Sequence, residues 1–251
     1  MMALTIAGRE LKTLFLSPLA WSILGVIQII LAYMFLAQID WFLTMQPRMA
    51  GMDDAPGVTD LIVAPLFGNA GVILLLVTPL LTMRLISEER RNRTLSLLFS
   101  APVSMTEIIL GKYLGVLGFL LIMVLMIALM PLSLALATSL DFGKLGACVL
   151  ALALLLGGFA SLGLYISALA GQPTVAAVST FGVLLLLWII DWSGNAAESA
   201  SGVLEYLSLL RHYEKLLKGL VSTTDLVYFV LLIGTFLVLS VHRLDNDRLQ
   251  K

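Results

Sequence analysis

The chain has 251 residues, of which 60% are hydrophobic and 12% charged, and its mean hydropathy is +1.02. An ordinary soluble domain carries about 25% charged residues, so the composition excludes a soluble globular enzyme and identifies an all-α polytopic membrane protein. The formal net charge of −1 gives no overall basic character that would point to nucleic acid as a partner.

Hydrophobic runs near the ~20 residues that span a bilayer recur along almost the whole chain and leave no separate soluble domain. Leu4, Ala7, Leu11, Leu14 and Phe15 recur at helical spacing opposite Arg9, Glu10 and Lys12, which predicts an amphipathic helix over residues 1–18 on the cytoplasmic membrane surface. The stretch lacks a small-residue cleavage site and is expected to stay in place. Ser17-Pro18 ends it, because the residue before a proline avoids helical geometry while proline suits a first helical turn.

Six spans follow, at residues 19–39, 61–83, 113–138, 145–170, 175–192 and 226–241. The segment 40–60 reads as an outer loop rich in aspartate. Ala153, Gly157 and Ser161 recur on one face of the fourth span and permit close helix approach, and Cys148 reads as a small core residue. Residues 193–224 divide into a small polar stretch and an amphipathic stretch that is too charged to span, predicting external helices at the outer interface. Thr224-Asp225 offers an N-cap for the last span, and residues 242–251 form a polar tail. With both termini cytoplasmic, ten of the fifteen Lys and Arg residues fall inside, as the positive-inside rule favours.

Charge is concentrated in residues 84–112. Six of the first ten (Arg84, Glu88, Glu89, Arg90, Arg91 and Arg93) are ionisable, and each would cost about 2.5–3.5 kcal/mol at a bilayer centre. This element therefore sits in water or against a partner. Two acids ahead of three bases fit a short helix aligned with its dipole. An apolar patch at Leu95, Leu97, Leu98 and Phe99 follows, and Pro102 is expected to end the helix. Ser104 to Glu107 matches a capping box that starts a new helix feeding the third span.

Catalytic signatures are missing. The sequence has no G-x-x-x-x-G-K-[ST], no HExxH, no paired cysteines and no nucleophile elbow. His212 and His242 lie in polar segments and read as solvated or interfacial. Ionisable residues are absent from the middle of every predicted span, where a proton- or sodium-coupled transporter places its relay. Gln28, Gln38 and Asn69 either line a polar path or bond to neighbouring helices. Energy must therefore come from another polypeptide, and the chain is not expected to be an enzyme.

Three stretches carry a resemblance: RELKTLFLSPLAW at residues 9–21, PLLTMRLISEERRNRTLSLLFSAPVSMTEIILGK at 79–112, and HYEKLLKGLVSTTDLVYF at 212–229. The chain resembles the ABC-2 type permeases, and more narrowly their gliding-motility branch. The resemblance implies a type V exporter-like fold in the bacterial inner membrane. It also implies a dimer, with itself or a related permease, seated on two copies of a separate ABC ATPase that holds the ATP and Mg; no cofactor is implied in this chain. Residues 84–112 resemble the family's coupling helix. By position, Glu88, Glu89, Arg90, Arg91, Thr94, Leu97, Leu98, Pro102 and Val103 are the docking residues. The family's glycine before the threonine and its acid two positions after it are Arg93 and Ser96 here, which implies tighter helix geometry and a more positive docking face.

The expected function is that of a permease subunit exporting or moving an unidentified substrate. The alternative is a membrane anchor that relays ATPase motion to an extracytoplasmic protein partner without moving a solute. On the docking reading, Glu89→Lys or a proline at Leu95 abolishes coupled ATPase activity while membrane insertion stays intact, checked by turnover and fractionation.

Overall fold

The computed structural model describes residues 2–49, 57–95, 103–136, 138–196 and 208–249. Among these the protein is all helical, as its composition requires: in hydrocarbon each backbone N–H and C=O must be satisfied within its own segment. Helix α1 (Met2–Leu16) ends at a bend on Ser17, and α2 (Pro18–Met49) starts with its proline in the first turn. A π-helical turn at Thr59–Val63 leads into α3 (Ala64–Thr82), followed by a short α4 (Ser87–Arg91). The long helices α5 (Met105–Leu134) and α6 (Phe142–Leu169) come next, then α7 (Pro173–Ala196), α8 (Leu209–Leu217) and α9 (Thr223–Leu249).

Five helices are long and apolar enough to cross a membrane, and α7 contributes a shorter apolar stretch, Pro173–Ile189. Five of the expected spans fall on these long helices, and the expected span 175–192 falls on the helix with the shorter apolar stretch. Three boundaries differ. The helix of the first span continues through Asp40 and Trp41 to Met49, so ten residues of the expected loop are helical; residues 40–49 hold no glycine, and their one proline, Pro47, comes only two residues before the helix ends. The expected polar tail is a continuation of α9 to Leu249. The N-cap of α9 is Ser222, whose Oγ accepts from Thr224 N at 3.3 Å. Asp225 is free to turn elsewhere.

The helices run back and forth between two ends. One end gathers α1, α4, the start of α5, the end of α6 (Ala168) and the end of α9 (Asp247), tied by the ion pairs described below. The other gathers the π-helical turn, the start of α6 and α8: Asp141 N donates to Thr59 Oγ1 at 3.2 Å, and Lys144 pairs with Asp60. Asp141 also caps α6, accepting from Gly143 N and Lys144 N at 2.9 and 3.1 Å.

Helix α6 is the hub, packed by α3, α5, α7, α8 and α9. Its small residues make this possible. A Cβ on Gly157 would lie 3.1 Å from both Ile233 of α9 and the Tyr113 hydroxyl of α5, and that hydroxyl donates to Gly157 O at 3.3 Å. The expected small-residue face thus serves packing within the bundle. A Cβ on Gly163 would meet Thr82 Oγ1 at 2.3 Å and Thr82 Cβ at 2.8 Å.

Helix α1 lies along the first turns of α5. Cβ atoms on Gly111 and Gly115 would come within 2.6 Å of Ile6 and Glu10, and Phe15 meets Phe119 at a ring-centroid distance of 5.2 Å. Contacts advance together along both helices, so the two run parallel. The pair Gly111 and Gly115 is a small-xxx-small signal that the reading of residues 1–18 as a surface helix passed over.

Gly163→Ala is expected to lower stability by about 1–3 kcal/mol through overpacking against Thr82. Gly146→Ala, which meets nothing within 4 Å, should be neutral or mildly stabilising. Thermal unfolding of the purified variants in one detergent compares them.

Candidate functional site

The charged element begins where α3 stops. Thr78 and Thr82 hydroxyls donate back to Leu74 O and Thr78 O at 2.6 and 3.0 Å, tightening the last turns, and the chain then turns through residues 83–86. Ser167 of α6 holds that turn. Its Oγ accepts from Ile86 N and Ser87 N at 3.1 and 3.2 Å and donates to Met83 O at 3.1 Å. A serine eighty residues away thus supplies the first-turn acceptor that α4 lacks locally.

Helix α4 ends in a Schellman motif. Thr94 N donates to Glu89 O at 3.0 Å and Arg93 N to Arg90 O at 3.2 Å, with Arg93 at φ +58°. The family's glycine position therefore keeps the left-handed backbone that favours glycine even though arginine occupies it. The tighter helix geometry implied by Arg93 is not found. Nor does this helix continue to Pro102: it ends at Arg91, and Leu95, expected in an exposed apolar patch, is buried. Leu97, Leu98, Phe99 and Pro102 lie outside the described residues, as does Ser96.

The candidate docking residues divide into two sets. Glu88, Arg91 and Thr94 are exposed. Glu89 and Arg90 turn inward. Glu89 Oε1 pairs with Lys112 Nζ at 2.8 Å, and the same ammonium pairs with Glu10 Oε1 at 2.9 Å. Lys112 is 3% exposed, so this triad locks α1, α4 and α5 together. Arg90 donates to Ala168 O at 2.8 Å and forms an ion pair with Asp247, which Arg243 also approaches at 3.4 Å. Val103 is half-buried against the core. Beyond it the expected capping box is present: Ser104 Oγ accepts from Glu107 N at 3.2 Å, and Glu107 Oε2 accepts from Ser104 N at 3.3 Å.

Glu89→Lys is consequently a poor probe of docking. It would place a second ammonium against a buried one and break the triad.

At the opposite end α8 plugs into the bundle. Tyr213 is buried and its hydroxyl donates to Phe67 O at 2.6 Å, while Cys148 Sγ donates to Leu217 O at 3.5 Å. Burial holds the Tyr213 phenol well above its ordinary range, with the Cys148 thiol adding to the shift, so it remains a donor. His212, expected to be solvated or interfacial, is 4% exposed, pairs through Nδ1 with Asp225 Oδ1 at 2.5 Å and stacks on Tyr228 at 4.2 Å. The reason is the amphipathicity of α8: His212 shares the buried face with Leu209, Tyr213, Leu216 and Leu217. His242 is exposed, as expected. In α2, Gln28 Nε2 and Gln38 Oε1 are buried without a hydrogen-bond partner.

A family model described as ABC-2 family transporter protein matches residues 4–249. The chain belongs to the ABC-2 transporter family. No curated protein matches it. Membership makes this multi-pass chain a permease subunit of an ABC transporter, the membrane component that works with an ABC ATPase. In this ABC-2 permease the element after α3 is a one-turn helix clamped through Glu89 and Arg90, with Glu88 and Arg91 exposed.

Arg93→Gly should exceed Arg93→Ala in stability by about 1 kcal/mol, since both remove the side chain but only glycine relieves the left-handed backbone. Paired thermal melts give the difference.

Proposed function

We propose that this permease couples ATP hydrolysis on a separate ATPase dimer to export or movement of a substrate, through the element centred on α4. The observation that carries this reading is the division of that element. Glu88 and Arg91 present charge outward beside an exposed Thr94, whose hydroxyl donates to Glu89 O at 3.3 Å, whereas Glu89 and Arg90 tie the same turn to α1, α5, α6 and α9. In this reading Glu88, Arg91 and Thr94, together with Leu97, Leu98, Pro102 and Val103, meet the ATPase. Glu89 and Arg90 carry the displacement into the bundle. ATP and Mg belong to the partner, and this chain needs no cofactor of its own.

The charged end is assigned to the cytoplasm of a bacterial inner membrane. The cluster Arg90, Arg91 and Arg93 lies there together with both ends of the described chain, and a concentrated basic cluster stays on the side of synthesis. A dimer, with a second copy or a related permease, places two such elements on the two ATPases. The gliding-motility branch is favoured by the HYEKLLKGLVSTTDLVYF stretch. Its His212, Tyr213, Asp225 and Tyr228 are the side chains that seat α8 on the outer end.

The double reversal Glu88→Lys with Arg91→Glu touches only exposed side chains. It should abolish ATPase copurification and coupled turnover while leaving membrane insertion and the thermal midpoint unchanged. Retained copurification with wild-type turnover refutes the docking assignment.

A further inference from the structure

A cavity of about 290 Å³ lies between α4 and the first turn of α7, lined by Met83, Arg84, Glu88, Arg91, Pro173 and Thr174. Its volume falls just below the range of about 300–1,000 Å³ typical of small-molecule pockets, which leaves room for a side chain rather than for a substrate. The turn leading into α7 is uncovered: Gly171 and Gln172 are exposed, and a Cβ on Gly171 would meet nothing within 4 Å.

The charge of this cavity is unbalanced. Arg84, Glu88 and Arg91 are all exposed, and among the described residues neither guanidinium makes a hydrogen bond or an ion pair. Arg90 in the same turn is spent on Ala168 O and Asp247, so the fold uses one arginine of this element and leaves Arg84 and Arg91 for another purpose. Two cations against one carboxylate give the wall a net charge of +1, and α7 directs the positive end of its dipole at the same space. A guanidinium presents a fork of N–H donors matched to a carboxylate. A single carboxylate balances the wall, whereas a phosphate group at about −2 exceeds it and crowds Glu88.

We propose that this cavity receives an acidic side chain of the ABC ATPase, its carboxylate held by Arg84 and Arg91 against the first turn of α7. The inference rests on the reading of α4 as the docking element and adds to it Arg84 and the turn between α6 and α7, so that the ATPase meets two segments of the chain instead of one. Charge complementarity of this kind orients a partner and selects against wrong ones, and a pair desolvated in an interface is worth more than the same pair left in water.

The test uses the full chain purified with the ABC ATPase that accompanies it, the partner being recognised by its phosphate-binding loop sequence. Arg84→Lys is treated with a water-soluble carbodiimide, which joins an amine to a carboxylate only in direct contact. The expected product is an amide between residue 84 and an Asp or Glu of the ATPase, mapped by mass spectrometry; Arg84→Gln, which has no amine, gives none. Thr174→Glu supplies a carboxylate from the cavity's own wall and should weaken ATPase binding on the order of tenfold or more, the scale of one charge-assisted contact, while Thr174→Gln binds as wild type does. Both positions are exposed, so thermal midpoints should not move. Coupling of residue 84 only to acids of this chain, its own copy or a second one, would overturn the proposal, as would an intact complex with no coupling at residue 84 or with undiminished binding by Thr174→Glu. A Glu88 and Arg91 reversal that leaves ATPase binding intact overturns instead the docking reading beneath it.

Discussion

The buried ammonium of Lys112 is the constraint on which the charged end of the bundle depends. A cation held at 3% exposure survives only if its lost hydration is replaced, and two carboxylates do so, Glu10 from α1 and Glu89 from α4. Removing either partner from such a buried set costs about 3–5 kcal/mol in well-studied cases, which makes the three helices energetically inseparable. The glycines on either side of that lysine's turn serve the same end. Gly111 and Gly115 let α1 approach α5 closely enough for Glu10 to reach Nζ, and any side chain there would meet Ile6 or Glu10 first. Ion pairing and backbone approach are one device.

The far end uses a different chemistry. There α8 is held by a buried phenol on a backbone carbonyl, a stacked imidazole on a carboxylate, and leucines in the core. Only Gly219, at φ +81°, closes that helix, with the same Schellman bonding that Arg93 completes in α4. Two copies of one local motif thus occur at opposite ends, one with the residue that fits the backbone and one without it. Where the backbone is strained by Arg93, the turn is over-determined by Ser167, Lys112 and Asp247.

Much of this was legible in the sequence because it is governed by local rules. Apolar run length located the five long apolar helices and the shorter one, Ser17-Pro18 the first break, Ser104-x-x-Glu107 the capping box, and spacing the packing face of α6 around Gly157. Some misses are local, as where α2 runs on to Met49 and α4 stops at Arg91, and the larger ones are tertiary. A histidine in a polar stretch looks solvated until helical geometry aligns it with Leu209, Tyr213 and Leu216 and a later carboxylate comes to meet it. Glu89 and Arg90 looked alike with Glu88 and Arg91 because adjacent charges in a sequence carry no label for inside and outside. Their partners, Lys112, Asp247 and Ala168, lie twenty to more than one hundred and fifty residues away. The role of Ser167 as a remote cap has no local signature at all.

The division of the charged element also decides how motion can enter the bundle. A one-turn helix with solvent on one side and only packing on the other would absorb a push by tilting. Here tilting is opposed from several directions: Ser167 holds its start, Arg90 grips the end of α6 and the end of α9, and Glu89 holds α5 and through it α1. A displacement of α4 is therefore shared by α1, α5, α6 and α9 as a body. The close contacts Gly163 to Thr82 and Gly157 to Tyr113 carry it towards the core, since interfaces at that spacing change by discrete repacking rather than gradual compression. Helix α2 is tied to this body through apolar packing, with Trp21 Nε1 donating to Phe15 O at 2.7 Å across the Ser17 bend. Relative movement in the proposed role is thus expected at the α2 seam.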